Sequence, residues 1–176
     1  MAQYAVVPER STVTIEARSS VGPIHWQAVG PTGWIEMRVS GGNVDVDPKP
    51  TARLELQIET LSSGNALYDA ELLRRIDARR YPRAIVELRD VAPVGNVARY
   101  QLQGDLTFHG ITREVRGTIS AQFEESGAVK VGGEQIFDIR DFNVPSPTIL
   151  MLKIFPDVRV RLDLEAQPAD DSGASA

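Results

Sequence analysis

Hydrophobic and polar residues alternate with a period of two along much of this chain of 176 residues, and this alternation limits its folds more than any other feature. It predicts β-strands that bury one face and expose the other. The clearest stretches are residues 12–18, 100–108, 114–123 and 158–165. Weaker strands are predicted at residues 35–39, 42–47, 53–59, 86–89 and 128–137. The chain is therefore predicted to be all-β.

Short turns connect the predicted strands. Gly, Pro, Asn and Asp cluster between the alternating stretches, as in Gly30-Pro31-Thr32-Gly33 and Gly41-Gly42-Asn43, and supply the backbone angles that tight turns need. Consecutive strands with short turns form an antiparallel meander. Every strand carries one apolar face, and closure removes unpaired strand edges, so the pattern favours a closed barrel over an open sheet.

One segment departs from the strand pattern. Residues 65–76 are good helix formers, and Ser63 or Asn65 offers an N-cap. The apolar side chains that share one face of this helix are Leu72, Leu73 and Ile76. We expect a single helix, inserted between strands and lying over an end or a side of the barrel.

Few residues in this chain suit catalysis or metal binding. There are no cysteines and only two histidines, His25 and His109, which lie far apart in sequence. Thiolate chemistry, disulfides and Cys-ligated metals are therefore excluded, and no spacing favours a metal site. No Gly-x-Ser-x-Gly motif, phosphate-binding loop or dinucleotide fingerprint occurs. We expect no catalytic residues, no metal, no cofactor and no enzymatic activity.

Charge and hydropathy limit the partners. The net charge of −5 disfavours a nucleic-acid binder, because phosphate neutralisation needs a basic face. The longest apolar stretch, residues 148–155, is interrupted by Lys153 and is too short to span a bilayer. The first residues lack the features of a signal peptide, so we expect a cytoplasmic protein. The domain is predicted to cover residues 1–166, followed by a disordered polar tail at 167–176.

The interior of the barrel is open to two interpretations. Several inward positions are small, namely Ala17, Gly104, Gly117 and Ala121. They either make room for large neighbours such as Phe108, Phe123 and Trp26, which gives a solid barrel, or they leave a cavity. A cavity lined by Val, Leu, Ile and Phe would take an apolar chain, because each buried CH2 contributes roughly 0.8 kcal/mol.

Three short segments resemble one known family. Residues 106–113, Leu-Thr-Phe-His-Gly-Ile-Thr-Arg, resemble the strand–turn–strand motif of the YceI-like family of polyisoprenoid-binding proteins. Gly64-Asn65, Asp69 and Leu72, followed by Tyr81-Pro82, are similar to its helix region. Asp141-Phe142-Asn143-Val144 resembles its Asp-Phe-Gly-Ile loop, with Asn143 in place of Gly. The resemblance runs from about residue 4 to residue 166.

The resemblance implies a lipocalin-like, eight-stranded antiparallel barrel that carries an isoprenoid or quinone-type lipid in an elongated central pocket. It also implies a homodimer in many members. The apolar stretch Pro145–Phe155 is expected to cap the pocket mouth or to form a subunit interface. His109 is interpreted as a turn residue that bonds a backbone carbonyl, and Asp69 and Asp141 as caps or as ion-pair partners of Arg74, Arg75 or Arg140.

We therefore predict a carrier protein. The predicted ligand-binding residues are Val13, Ile15, Ala17, Trp26, Phe108, Ile119, Phe123, Ile136, Phe142 and Leu150, with Trp26 and Phe142 near the mouth. The first alternative is a solid barrel that acts as a scaffold or interaction protein without a small-molecule ligand. The second is a hydrolase or isomerase in which His25 or His109 acts as a base.

Overall fold

The computed structural model describes residues 1–95 and 98–169, and most of them lie in strands. The strands are β1 (Ala2–Val6), β2 (Thr12–Ser19), β3 (Gly22–Val29), β4 (Thr32–Met37), β5 (Val39–Ser40), β6 (Asn43–Val44), β7 (Thr51–Gln57), β8 (Arg83–Pro93), β9 (Arg99–Phe108), β10 (Ile111–Phe123), β11 (Val129–Asp138), β12 (Thr148–Ile149) and β13 (Leu152–Pro168). Helix α1 covers Ala66–Arg75, and three 3-10 turns cover Pro8–Arg10, Ile58–Thr60 and Ile139–Phe142.

Eight antiparallel strands close into a barrel in the order β1-β4-β7-β8-β9-β10-β11-β13, with β13 returning to β1. Strand β13 makes this closure because it is 17 residues long. One edge of β13 pairs with β11, and the other pairs first with β2 and then with β1. Strands β2 and β3 form a hairpin that extends the wall beyond β1 and β4. The predicted fold class is confirmed.

The alternation places side chains as the sequence predicts on the best-defined strands. The inward-facing residues of β9 are Tyr100, Leu102, Gly104, Leu106 and Phe108, and those of β13 include Val158, Val160, Leu162 and Leu164. Position 104 requires glycine, because a Cβ there would lie 2.6 Å from the carbonyl oxygen of Glu87 on β8. Its small size permits the close approach of two strands.

Two predicted boundaries differ from the structure. Within residues 42–47, only Asn43–Val44 forms a strand, because β5 and β6 make a separate two-stranded hairpin. Strand β13 continues to Pro168, since Gln167 and Pro168 pair with Ala5 and Tyr4, so the first residues of the predicted tail are ordered. Residues 170–176 lie outside the described part of the chain.

Two hydrophobic clusters lie at opposite ends of the barrel. The helix-end cluster is built around Val13, Ala17, Trp26, Leu56, Ile76, Val144, Ile149 and Ile154. The far-end cluster is built around Tyr4, Met37, Val91, Tyr100, Ala121, Val129 and Ala166. These two clusters define the helix end and the far end of the barrel.

Candidate functional site: an apolar cavity inside the barrel

A cavity of about 410 Å³ occupies the barrel interior. Its walls are the inward faces of the barrel strands, and its surface is almost wholly apolar. The volume falls in the range of about 300–1,000 Å³ that is usual for small-molecule sites. The hollow interior contradicts the alternative of a solid barrel.

In the middle of the barrel, inward-facing apolar side chains border empty space. Several apolar residues line the cavity and pack into neither end cluster, and we take five of them as the middle band: Leu54, Val86, Leu106, Val115 and Phe137. All five are only half-buried although they face inward. Residues that point inward and still keep accessible surface border empty space, so the volume lies between the two ends.

Trp26 closes part of the helix end. It lies on β3, is 2% exposed, and lines the cavity with its indole ring. The indole Nε1–H donates to Oδ1 of Asp69 on α1 at 3.1 Å. The same oxygen accepts from the backbone N–H of Ser63 at 2.9 Å and from its hydroxyl at 2.6 Å. Asp69 therefore joins the helix to the β3 wall. Of the two roles expected for Asp69, a cap or an ion pair, the ion pair with Arg74 or Arg75 is not found, since both arginines bind Glu71.

Helix α1 covers the opening beside β3. Its N-cap is Asn65, whose Oδ1 accepts from the backbone N–H groups of Leu67 at 3.0 Å and Tyr68 at 3.2 Å. This cap satisfies two of the otherwise unpaired amides in the first turn. Leu72 of the helix and its C-cap residue, Ile76, line the cavity. The predicted helix, one of its two predicted caps and its apolar face are thus found in the structure.

His109 has a structural position outside the cavity lining. It forms the two-residue turn between β9 and β10 with Gly110, and both residues have positive φ, 55° and 74°. That combination is the mark of a type I′ hairpin turn. His109 Nδ1 lies 2.9 Å from the carbonyl oxygen of Phe142, which only accepts, so Nδ1 carries the proton. The ring of Tyr81 packs edge-on against His109 at 4.8 Å.

Gly110 allows this aromatic packing. A Cβ at Gly110 would lie 2.6 Å from the Tyr81 ring, in a backbone conformation that other residues rarely adopt. Phe108 and Phe142 also pack against each other, with ring centroids 5.8 Å apart. The motif residues that carry the family resemblance therefore tie the 139–142 turn to the end of β9.

The segment after that turn caps the helix end. Its buried residues Val144 and Ile149 line the cavity, together with Pro147. This position matches the expectation that the Pro145–Phe155 stretch covers the pocket mouth. Asn143 has a φ of 59°, so it adopts the left-handed conformation that the Gly of the family motif favours.

A charged pair stabilises the start of the 139–142 turn. Asp138 caps it by accepting from the backbone N–H of Arg140 at 2.9 Å, and its carboxylate also binds the Arg140 side chain at 2.6 Å. The hydrogen bond from the guanidinium, followed by the one from the backbone, lowers the pKa of Asp138. Arg140 was a predicted partner of Asp69 or Asp141, and in the structure its side chain pairs with Asp138.

The far end is closed by packing and by one hydroxyl. The β5–β6 hairpin lies here, and the backbone N–H of Val44 donates to the Tyr100 hydroxyl at 2.9 Å. Val129 and Ala166 are fully buried beside it. Among residues 1–95 and 98–169, no helix takes part in this closure.

The structure brings seven of the ten predicted site residues to the cavity: Val13, Ile15, Ala17, Trp26, Phe108, Ile119 and Phe142. Phe123 packs into the far-end cluster instead. Ile136 is 55% exposed and Leu150 is 46% exposed, so both lie outside the cavity. Leu150 sits in the β12–β13 turn and has a φ of 48°. That the other seven bind a ligand stays a prediction.

Ile136 was placed on the wrong face of β11. The inward residues of this strand are odd-numbered: Val129, Val131, Gly133, Gln135 and Phe137. Gly132 and Gly133 carry no side chain to mark the alternation, so the sequence left its phase open. Continuing the period of two from Val129 and Val131 would have selected Phe137. Leu54 and Val86 were recognised as strand residues but were not assigned to the site.

The charged residues that border the cavity have partners on the outer surface. Arg53 binds Glu87 at 2.9 Å, and Glu134 binds Arg159 at 2.8 Å. In residues 1–95 and 98–169, no cluster of three or more histidine, aspartate or glutamate side chains suits a metal ion. No described helix is long and apolar enough to cross a membrane. The interior thus offers shape and apolar contact, with polar groups confined to its margins.

Eight antiparallel strands around an apolar, ligand-sized cavity define a hollow barrel of the lipocalin-like class. The model of the YceI-like domain matches residues 4–166, and the chain belongs to this family. The match confirms the resemblance found in the sequence. A search of curated proteins found no match.

Three solved structures show the same fold at low sequence identity. BcnA from Burkholderia cenocepacia has a TM-score of 0.79 and 17% identity, covering 92% of this chain and 99% of that chain. A polyisoprenoid binding domain from Saccharophagus degradans has a TM-score of 0.77 and 12% identity, covering 96% and 99%. The YceI protein of Campylobacter jejuni has a TM-score of 0.59 and 15% identity, covering 77% and 85%.

Proposed function

We propose that this protein is a non-enzymatic carrier that holds an isoprenoid or similar long apolar lipid in its barrel cavity. The observation that carries the proposal is the apolar cavity of about 410 Å³ inside the barrel, which the inward side chains of the middle band border. The similar domain from Saccharophagus degradans, described as polyisoprenoid binding, gives the ligand class.

The chemistry of the cavity favours an uncharged chain over a compact polar molecule. Burying a charge without a partner is very costly, and the charged residues Arg53 and Glu134 at the cavity margin already have partners outside the cavity. An apolar chain gains roughly 0.8 kcal/mol for each CH2 removed from water, and part of this gain offsets the entropy lost on binding. Binding of this kind needs no specific polar contact along the chain.

Neither histidine is placed to act as a base on a molecule in the cavity. His25 lies on the outer face of β3, 3.3 Å from Glu16, with 57% of its side chain exposed. His109 uses Nδ1 to hold Phe142 and does not line the cavity. These positions support a binding role without catalysis.

Native mass spectrometry tests the proposal. We expect the protein, purified without detergent, to carry an added mass that extraction identifies as a prenyl lipid, or to take up geranylgeraniol when it is offered. The proposal would be contradicted if the purified protein carried no lipid and took up neither geranylgeraniol nor ubiquinone-2.

A matched pair of variants on β9 locates the binding. Leu106→Trp fills the middle of the cavity from the inward face, whereas Gln101→Trp adds the same side chain on the exposed outer face. Leu106→Trp is expected to reduce geranylgeraniol uptake at least about tenfold, which corresponds to the loss of two buried CH2 contacts. Gln101→Trp should bind like the parent.

A further inference from the structure

The wall of the barrel is interrupted between β10 and β11. Their ladder runs from Phe123 and Val129 only as far as Ile119 and Gly133. Both strands continue, and residues 111–118 stay paired with β9 while residues 134–138 stay paired with β13. We call these two facing, mutually unpaired segments the gap. Continuing the register would place Gly117 opposite Gln135 and Val115 opposite Phe137.

The cavity reaches into the gap. Its lining includes inward residues on both sides, such as Gly117 and Gln135, and also their outward neighbours Arg116, Thr118 and Glu134. Here the outward residues lie on strands that do not pair with each other, so the space continues between the strands. Trp34 and Arg53 also border the cavity, but there the β4–β7 ladder is continuous.

The gap has closed limits in both directions. Toward the far end it narrows at Gly117 and Gln135, where the Cβ of Gln135 is 4.0 Å from the Cβ position of Gly117, and it ends at the last ladder pair, Ile119 and Gly133. Toward the helix end, Arg113 crosses it, and its Nε donates to the carbonyl oxygen of Asp141 at 3.0 Å. The gap is therefore a window in the side of the barrel, while α1 and the 144–154 segment cover the helix end.

The rim of the window is polar and without net charge. Gln135 lines the cavity but is exposed, and its Oε1 lies 3.7 Å from the point where a Cβ on Gly117 would stand. Arg116 already binds Glu114 at 3.3 Å, and Glu134 binds Arg159 at 2.8 Å. The groups left to meet a ligand are neutral hydrogen-bonding side chains, those of Gln135 and Thr118.

We propose that this window is the portal for an amphiphilic ligand, and that Gln135 binds the oxygen of a neutral polar head group, a hydroxyl or a quinone carbonyl. The apolar tail lies in the middle band, and the head stays at the rim, where water and the Gln135 amide satisfy it. The inference rests on the proposed function and adds the route into the cavity and the class of head group.

A reversible cross-link tests the portal. The Cβ of Gln135 is 4.0 Å from the Cβ position of Gly117, inside the range of about 3.5–4.5 Å found in disulfides. The chain has no cysteine, so Gly117→Cys with Gln135→Cys gives a protein with one disulfide. Trp34→Phe in the same chain leaves Trp26, which lines the cavity, as the only tryptophan.

The readout is the rate at which ubiquinone-2 quenches Trp26 fluorescence. We expect the oxidised double-cysteine protein to load at least about tenfold more slowly than the same protein after reduction. The control is Thr107→Cys with Thr112→Cys, across a continuous ladder where the two hydroxyl oxygens lie 2.8 Å apart, and its oxidation should leave the rate unchanged. Equal rates for the two states of the 117–135 pair would overturn the portal.

The result distinguishes the portal from the carrier function. Quenching that is equally fast with the window locked supports a carrier loaded by another route. Absence of quenching in the Trp34→Phe parent removes the carrier proposal and the portal with it.

A second variant tests the head group. Gln135→Leu is expected to weaken geranylgeraniol binding roughly 3- to 10-fold, the effect of one hydrogen bond, and to leave binding of the matching hydrocarbon without the hydroxyl unchanged. Gln101→Leu, on the outer face of β9, should change neither. Equal losses for the alcohol and the hydrocarbon would show that Gln135 makes no head-group contact.

Discussion

The two ends of the barrel and its middle are built from the same residue types with opposite results. At the ends, Trp26, Ile149 and Val129 are buried against neighbours. In the middle, Leu106 and Phe137 face inward and keep accessible surface. Close packing at both ends supplies stability, and the absence of packing in between supplies a binding volume. A substitution should therefore have different consequences in the two regions.

The largest effect is expected at the helix end. Trp26→Ala removes a buried ring and the donor to Asp69, and should lower the free energy of unfolding by about 3–5 kcal/mol. Denaturant unfolding followed by circular dichroism measures it. A loss below about 1 kcal/mol would mean that this end is not a packed closure.

The middle band gives the contrasting case. Leu106→Ala should cost about 1–2 kcal/mol, because the side chain borders space that is already empty. Leu56→Ala, at a buried inward position in the helix-end cluster, should cost the usual amount of about 2–5 kcal/mol. Urea unfolding of the two variants without ligand measures both losses of unfolding free energy. Equal losses would mean that the middle band is packed as closely as the helix end.

A smaller effect is expected at the far end. Tyr100→Phe keeps the packed ring and removes the hydroxyl that accepts from the Val44 N–H, so stability should fall by about 1 kcal/mol. Amide hydrogen exchange should show faster exchange at Val44 while amides in β13 change little. Unchanged protection at Val44 would mean that the hydroxyl does not hold the hairpin.

The smallest effect is a pH dependence at the 139–142 turn. Arg140 lowers the pKa of Asp138 in the folded state. The contribution of the Asp138 carboxylate to the free energy of unfolding is therefore complete above its unfolded pKa of about 3.9, and it is lost as the pH falls through the lower folded value. Asp138→Asn should therefore flatten this part of the acid unfolding curve. Since Asp138 and Arg140 are accessible to solvent, salt should weaken the effect. An acid curve that is identical in the variant would contradict this role.

Much of the fold follows from the sequence, because a period of two is a local property. Val158, Val160 and Leu162 show it without interruption, and their strand and its inward face were both predicted. The phase of β11 was missed where Gly132 and Gly133 carry no side chain. The Asp69–Trp26 bond joins residues 43 positions apart, and no local pattern marks it.

The hollow interior is a different kind of property. Alternation shows that Leu106 and Val160 point inward, but not whether they touch across the barrel. That distance depends on how eight strands close and on where β10 and β11 stop pairing, between Ile119 and Gly133. The small residues gave a mixed signal, since Gly104 is explained by close approach to β8 and Gly117 borders the gap.

The most direct measurement is an electron-density map from crystals of the protein loaded with geranylgeraniol. The account predicts elongated density between Leu106, Val115 and Phe137, with its polar end beside Gln135. Leucine, valine and phenylalanine side chains in contact across the axis, with no density and no channel between them, would contradict it.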